Sequence, residues 1–179
     1  MNLNDKELLN AIKADVQSGF RQLMRSYQQQ VYWHIRRMVV SHDDAQDATQ
    51  ETFIRIYNYL RQFRADSSLR SWIYRIATNE ALRAISRRRQ EEVSIDSDET
   101  GVELIATDDF VDTADQLALK LQRAILTLPP KQQLAFNLRY YDEMDFEEIA
   151  HIADSTATSI KASYHVAKQK IINYMNSND

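Results

Sequence analysis

The sequence predicts an all-α fold: two small helical domains joined by an acidic linker, the C-terminal domain a helix-turn-helix. Three observations lead there. Only 2 Gly and 2 Pro occur in 179 residues, too few for the many tight turns of a β-sandwich or barrel. Apolar residues recur at spacings of three and four over most of the chain, the period of a helix with one buried face. Charge is also partitioned. Residues 1–89 carry 15 Lys and Arg against 9 Asp and Glu, residues 90–119 carry 10 acidic and no basic residues, and residues 120–179 carry 7 of each. So acidic a block repels itself and resists burial, which makes it a solvated divider between two lobes. The expected domains are 1–89 and 113–179, with residues 90–112 as the linker.

The elements are taken in chain order. Leu9, Ile12 and Val16 share a face that continues through Phe20, Leu23, Tyr27, Val31, Ile35 and Met38. Polar residues at Ser41-His42-Asp43-Asp44 break the pattern and supply an N-cap. The next helix carries Ala45, Ala48, Thr52, Phe53, Ile56 and Leu60 on one stripe. A polar loop, Arg64 to Ser68, leads into a helix with the stripe Leu69, Trp72, Ile73, Ile76 and Ala77, which runs on into Arg83 and Arg87-Arg88-Arg89.

The second lobe opens with Leu117, Leu121, Ile125 and Leu128, ended by Pro129-Pro130 because proline disfavours helix in the residue before it. Leu134, Ala135 and Leu138 mark the next helix. Asp145 caps a short helix with Phe146, Ile149 and Ala150. A turn at Ala153-Asp154-Ser155 precedes a longer helix with Ile160, Tyr164, Ala167, Ile171 and Tyr174. Short helix, tight turn and long helix make a helix-turn-helix. Asp154 tolerates the left-handed turn position, though less readily than Gly, and Thr156 suits the N-cap. The long helix would present Thr158, Ser159, Lys161, Ala162 and His165 outward, short or polar enough for a major groove.

Zero Cys excludes disulfides, thiolate metal sites and a cysteine nucleophile. No apolar run exceeds three residues, so neither a membrane-inserted helix nor a signal peptide is expected. His42-Asp43 and Glu148 with His151 are fragments of metal-site patterns that lack their second halves. No catalysis and no cofactor are expected, and His34 and His151 read as surface or satisfied helix residues.

Two segments together resemble a known family. Asp43-Asp44-Ala45-Gln46-Asp47-Ala48-Thr49-Gln50-Glu51-Thr52-Phe53 resembles the most typical segment of bacterial sigma factors. Phe63 to Asn79, reading FRADSSLRSWIYRIATN, resembles the adjoining segment in the extracytoplasmic-function group of the sigma-70 family. Leu128-Pro129-Pro130-Lys131-Gln132-Gln133 and Glu148-Ile149-Ala150 match that group's C-terminal lobe. The motifs span both lobes, in order.

The resemblance implies a cytoplasmic transcription initiation factor that binds core RNA polymerase, directs it to promoters and assists DNA melting. It implies that Asp47, Gln50, Glu51 and Ile54 bind polymerase, a face whose spacing is helical. It implies that Arg64, Asp66, Ser67, Ser68, Arg75, Asn79, Arg83 and Arg87 meet the minus-ten element, where unpaired bases can be read in a pocket. Tyr74, off the apolar stripe, is placed with them as a base-stacking ring. Thr156, Thr158, Ser159, Lys161, Ala162 and His165 would read the minus-thirty-five element. An anti-sigma factor is the further partner implied. Two departures stand out in the second lobe: Asp154 occupies the turn position where the family usually has Gly, and Ser163 and Val166 occupy positions where it usually has an Arg pair. The alternative is a stand-alone helix-turn-helix regulator that binds duplex DNA without polymerase, a reading that requires DNA binding by the purified protein alone.

Overall fold

A computed structural model of the chain describes residues 5–39, 41–63, 68–94 and 113–177. Its helices are α1 (Asp5–Ala14), α2 (Val16–Met38), α3 (His42–Tyr59), α4 (Leu69–Ser94), α5 (Thr113–Leu126), α6 (Pro130–Tyr140), α7 (Phe146–Ile152) and α8 (Ala157–Asn176), with a 3-10 turn at Leu60–Gln62. No strand occurs among the described residues. The chain forms two compact units divided between residues 96 and 97. Helix α4 continues past the boundary expected at residue 89, and the acidic segment beyond Ser94 up to 112 lies outside the described residues.

In the first unit, the single long helix expected from the periodicity is two. Asp15 adopts an extended backbone, and its carboxylate accepts hydrogen bonds from Gln17 N and Ser18 N, both at 3.2 Å. That cap starts α2 and lets α1 fold back onto it. The fold-back buries Leu8 and Ile12 rather than Leu9. It also brings Ile12 against Gly19, where a side chain has no room. Tyr27 closes the hairpin by donating from its hydroxyl to Asp5 Oδ1 at 2.9 Å.

Ser41 caps α3, its hydroxyl accepting from Asp44 N at 3.3 Å. The α3 stripe is buried as its spacing requires, from Ala45 through Leu60. Helix α4 packs on both α2 and α3 and therefore buries a broad face: Leu69, Ser71, Ile73, Tyr74, Ala77, Thr78, Glu80, Ala81 and Ala84. Trp72 and Ile76, expected in the core, are only half-buried.

In the second unit α8 packs against α5, α6 and α7. Its core joins Ala124, Ile125, Leu128, Phe136, Ala167 and Ile171. Leu117, expected on the buried stripe of α5, is 62% exposed. Pro129 stands just outside α6 and Pro130 opens it, where a missing N–H costs nothing. Asp145 caps α7 through Glu148 N at 2.7 Å, and Thr156 caps α8 through Ser159 N at 3.2 Å. Between them Asp154 takes φ 50, the left-handed geometry that the turn requires.

The α1–α2 contact gives a test whose sign is informative. Glycine to alanine inside a helix ordinarily gains about 1 kcal/mol. A Cβ at Gly19 would lie 2.5 Å from Ile12 Cα and 2.6 Å from Ile12 N, backbone atoms that cannot swing aside. Gly19→Ala should therefore destabilise the protein by about 1–3 kcal/mol, as overpacking does. Chemical denaturation measures it, and a raised midpoint would contradict the close approach.

Candidate nucleic-acid and protein interface

Helix α3 turns one face inward and leaves Asp47, Gln50, Glu51 and Ile54 exposed, Ile54 at 53%. Asp47, Glu51 and Ile54 are spaced by four and three, so they stack along one side of the helix. Asp47, Gln50 and Ile54 border a groove of about 1090 Å³ between α2 and α3, lined also by Phe20, Met24, Tyr32, Phe53 and Tyr57 among others. Phe20 sits edge-on to Tyr57 at 5.0 Å, so the groove floor is aromatic while its rim carries Asp47. His42, at one end, shares a hydrogen bond of 2.8 Å between Nδ1 and the Tyr32 hydroxyl.

On α4 the residues Arg75, Asn79, Arg83 and Arg87 recur every fourth position, forming one ridge. Asn79, Arg83 and Arg87 are exposed or partly so, and Arg75 is half-buried. Arg83 also pairs with Glu80, and Arg88 with Asp44 at 3.3 Å. Arg64, Asp66 and Ser67 lie outside the described residues. Ser68 is exposed, but its hydroxyl is engaged at the start of α4, accepting from Ser71 N at 3.0 Å and donating to Ser71 Oγ at 2.8 Å. It serves as a helix cap. Trp72 packs its ring on Phe63 at 5.1 Å.

Tyr74 requires a correction. It is fully buried, with its ring 5.0 Å from that of His34. A ring with no exposed face cannot stack on a base. The reason is the double packing of α4, which turns inward a side that one apolar stripe would leave in solvent.

On α8, Thr156, Thr158, Lys161, Ala162 and His165 are exposed along the outer side, with Val166 beside them. Ser159 is half-buried and accepts a hydrogen bond from Lys131 Nζ at 2.9 Å. The helix therefore offers a smooth face of short side chains with one ammonium and one imidazole, dimensions that suit a major groove. No helix among the described residues is long and apolar enough to cross a membrane.

The chain matches two family models, Sigma-70 region 2 over residues 23–91 and Sigma-70 region 4 over residues 118–171. It is 31% identical to the ECF RNA polymerase sigma-E factor of Escherichia coli K12, covering 96% of this chain and 94% of that protein. The chain belongs to the ECF sigma factors. It is also 27% identical to the ECF sigma factor SigW of Bacillus subtilis, over 96% of each chain. Two solved structures share its fold. CnrH in complex with the cytosolic domain of CnrY gives a TM-score of 0.74 at 17% identity, covering 98% of this chain and 99% of that one. RpoE in complex with the anti-sigma factor NepR, from Bartonella quintana, gives 0.68 at 19% identity, covering 89% and 98%. As an ECF sigma factor the protein is a transcription initiation factor that binds core RNA polymerase and directs it to promoter DNA. The stand-alone regulator is not favoured, because region 2 accompanies the helix-turn-helix.

Sequence reasoning misses the buried polar residues of α4 in this sigma factor, Glu80 above all, and leaves His34 open between the surface and a satisfied helix position. Glu80 is 3% exposed and lies between α3 and α4. The signal available is an acidic residue at i−3 from Arg83, alone among the basic residues between Arg70 and Arg89. His34 is fully buried, not at the surface, and its Nε2 shares a 2.8 Å hydrogen bond with Thr78 Oγ1. Its Nδ1 has no hydrogen-bond partner among the described residues. Burial, helped by the charge of Arg37, pushes its imidazole down to about 3.

Stability should therefore depend on pH. Unfolded, His34 takes up its proton near pH 6.5; folded, only near 3. Between these values the unfolded chain holds more protons, so this contribution to stability is complete above 6.5 and is lost as the pH falls. The loss is about 1.4 kcal/mol per pH unit. Denaturation at about pH 7.5 and 5.5 should show a difference from this group of about 1.4 kcal/mol in all in the parent protein, the full slope being reached only below 5.5, and its absence in His34→Gln. Equal slopes would mean that His34 does not titrate with folding.

Proposed function

We propose that the first unit docks on core polymerase through Asp47, Gln50, Glu51 and Ile54 of α3 and meets the minus-ten element through α4 and the loop before it. The second unit reads the minus-thirty-five element with Thr156, Thr158, Lys161, Ala162 and His165, Ser159 standing behind Lys131. The single observation that carries this reading is the coexistence, on one small unit, of an acidic and apolar row on α3 with the Arg75-Asn79-Arg83-Arg87 ridge on α4. One row suits a basic protein partner. The other suits phosphates, with an amide that can read a base edge.

The working division ends the first domain with α4 at Ser94, later than the expected residue 89, and opens the second at Thr113, with the acidic segment between them and Arg64, Asp66 and Ser67 in the reading loop. The acidic segment is assigned to a basic channel that otherwise holds nucleic acid, since its carboxylates would also repel free DNA. An anti-sigma factor is the further partner proposed, on the ground that RpoE, which shares this fold, occurs in complex with the anti-sigma factor NepR. The protein acts in the cytoplasm, where polymerase and promoters are, and performs no catalysis of its own.

Replacing Asp47 and Glu51 together by Lys should weaken binding to core polymerase about tenfold or more, because like charges then face each other. Both positions are exposed, so helical content should stay intact by circular dichroism. Unchanged co-purification with core would remove the assignment of this face.

The two DNA roles separate on pre-melted templates. Substitutions at Arg64, Asp66 or Asn79 should shift base preference at the minus-ten element, a lost bidentate contact costing about 1–3 kcal/mol. Lys161→Ala should weaken the closed complex on duplex DNA. Permanganate footprinting on natural and bubble templates distinguishes them: a bubble rescues a melting defect and does not restore upstream reading. Loop variants that open DNA normally with unchanged base preference would disprove the assignment of the loop.

A further inference from the structure

Between α3 and α4 lies a polar recess of about 820 Å³, lined by Arg55, Asn79, Glu80, Arg83, Ser86 and Arg87 among others. At its base is the Glu80 carboxylate, whose side chain is 4% exposed. Arg55 approaches it from α3, Nε lying 2.6 Å from Glu80 Oε1. This is an ion pair without hydrogen-bond alignment, since Nε has no geometric acceptor. Arg83 approaches the same oxygen from α4 with Nη1. One buried carboxylate thus holds two guanidinium groups from two helices.

A buried charge without a partner is costly, so the pairing explains how Glu80 is tolerated. It does not explain why two arginines are gathered where one would neutralise it. Both keep outward surface: the Arg55 side chain is 38% exposed and that of Arg83 is 55% exposed. A guanidinium has five N–H donors in a fixed plane, more than one carboxylate oxygen can engage, and both arginines line the recess. Glu51 also lines the recess, yet Arg55, Arg83 and Arg87 outnumber Glu51 and Glu80, leaving an excess of positive charge. That is the chemistry of a phosphate site.

We propose that this recess binds one backbone phosphate of promoter DNA between Arg55 and Arg83, with Glu80 the positioning residue that holds both guanidinium groups in place. The inference rests on the assignment of α4 to the minus-ten element and extends it to Arg55, a residue of the polymerase-docking helix. Asn79 lines the same recess. One nucleotide can therefore offer its base edge to Asn79 and its phosphate to the arginine pair, the base contact specifying and the phosphate contact positioning.

Glu80→Gln gives opposite signs for the two roles that Glu80 can play. A bystander carboxylate beneath a DNA site repels DNA, so its neutralisation would tighten promoter binding. A positioning carboxylate holds the arginines ready, so its neutralisation loosens them and weakens binding although the net charge has become more positive. The experiment uses the full chain assembled with core polymerase and measures promoter-complex formation across salt concentrations.

Arg55→Gln and Arg83→Gln should each lower the salt slope, by about one when combined, and weaken all promoter sequences alike, without change in base preference. Glu80→Gln should weaken promoter binding while core affinity and thermal midpoint stay as in the parent. Tighter or unchanged promoter binding in Glu80→Gln overturns the positioning role, as does a joint fall of core affinity and thermal midpoint. An unaltered salt slope in Arg55→Gln overturns the phosphate site, and that variant keeps Glu80 paired with Arg83, so folding is not in question. Asn79→Ala is the control for the wider reading. If it shifts base preference while Arg55→Gln and Glu80→Gln do nothing, only the recess fails. If Asn79→Ala, Arg83→Gln and Arg87→Gln all leave promoter recognition unaltered, the assignment of α4 to DNA fails first.

Discussion

The first unit depends on one demand: α4 must pack on α2 and α3 at once while keeping one side in solvent. Two packing surfaces on one helix take up more than a single apolar stripe. Small residues at Ala77, Ala81 and Ala84, all buried, let the neighbouring helices come close. Close approach then draws in residues that no apolar stripe contains, namely Ser71, Thr78 and Glu80. Each needs a partner, because a buried polar group left unpaired costs free energy. Ser71 bonds Ser68, Thr78 bonds His34, and Glu80 pairs with two arginines. The outward ridge from Arg75 to Arg87 is what remains once these obligations are met.

That demand also decides what the sequence makes legible. Helix α3 serves one packing surface and has one clean stripe, so its core from Ala45 to Leu60 can be read directly. The caps Ser41, Asp145 and Thr156 are legible for a local reason: a side-chain oxygen needs only the amide two or three residues on. The left-handed Asp154 is legible from the short turn between two periodic segments. The features that escape are non-local. The break at Asp15 falls inside an unbroken apolar period, and only the fold-back of α1 shows why Gly19 is there. Tyr74 reads as a surface ring because a stripe drawn through Leu69, Ile73 and Ala77 leaves it outside, and the stripe does not reveal that a second helix covers that side.

Of the candidate site, the exposed rows are legible and the buried support is not. Asp47, Gln50, Glu51 and Ile54 are exposed as their family motif implies, and Asn79, Arg83 and Arg87 keep outward surface. Glu80 escapes because a carboxylate among arginines reads as a solvated helix pair. Its importance comes from Arg55, which lies on another helix and 25 positions earlier in the chain.

The second unit obeys a different logic. Its 7 basic and 7 acidic residues from 120 to 179 cancel, and three of its lysines already donate hydrogen bonds within the unit, Lys120 to Ser177 O, Lys131 to Ser159 and Lys170 to Gln132. Few phosphate counterions can be released by such a surface, so its own affinity for DNA is low and only mildly salt-dependent. Low affinity is compatible with precise promoter choice when the reader is tethered. On the division of roles proposed above, α8 would meet the upstream element at an effective concentration set by its link to a unit held on polymerase, and weak contacts would then suffice. The same arrangement protects specificity. A strongly basic helix-turn-helix would hold the free protein on random DNA, whereas a neutral one does not.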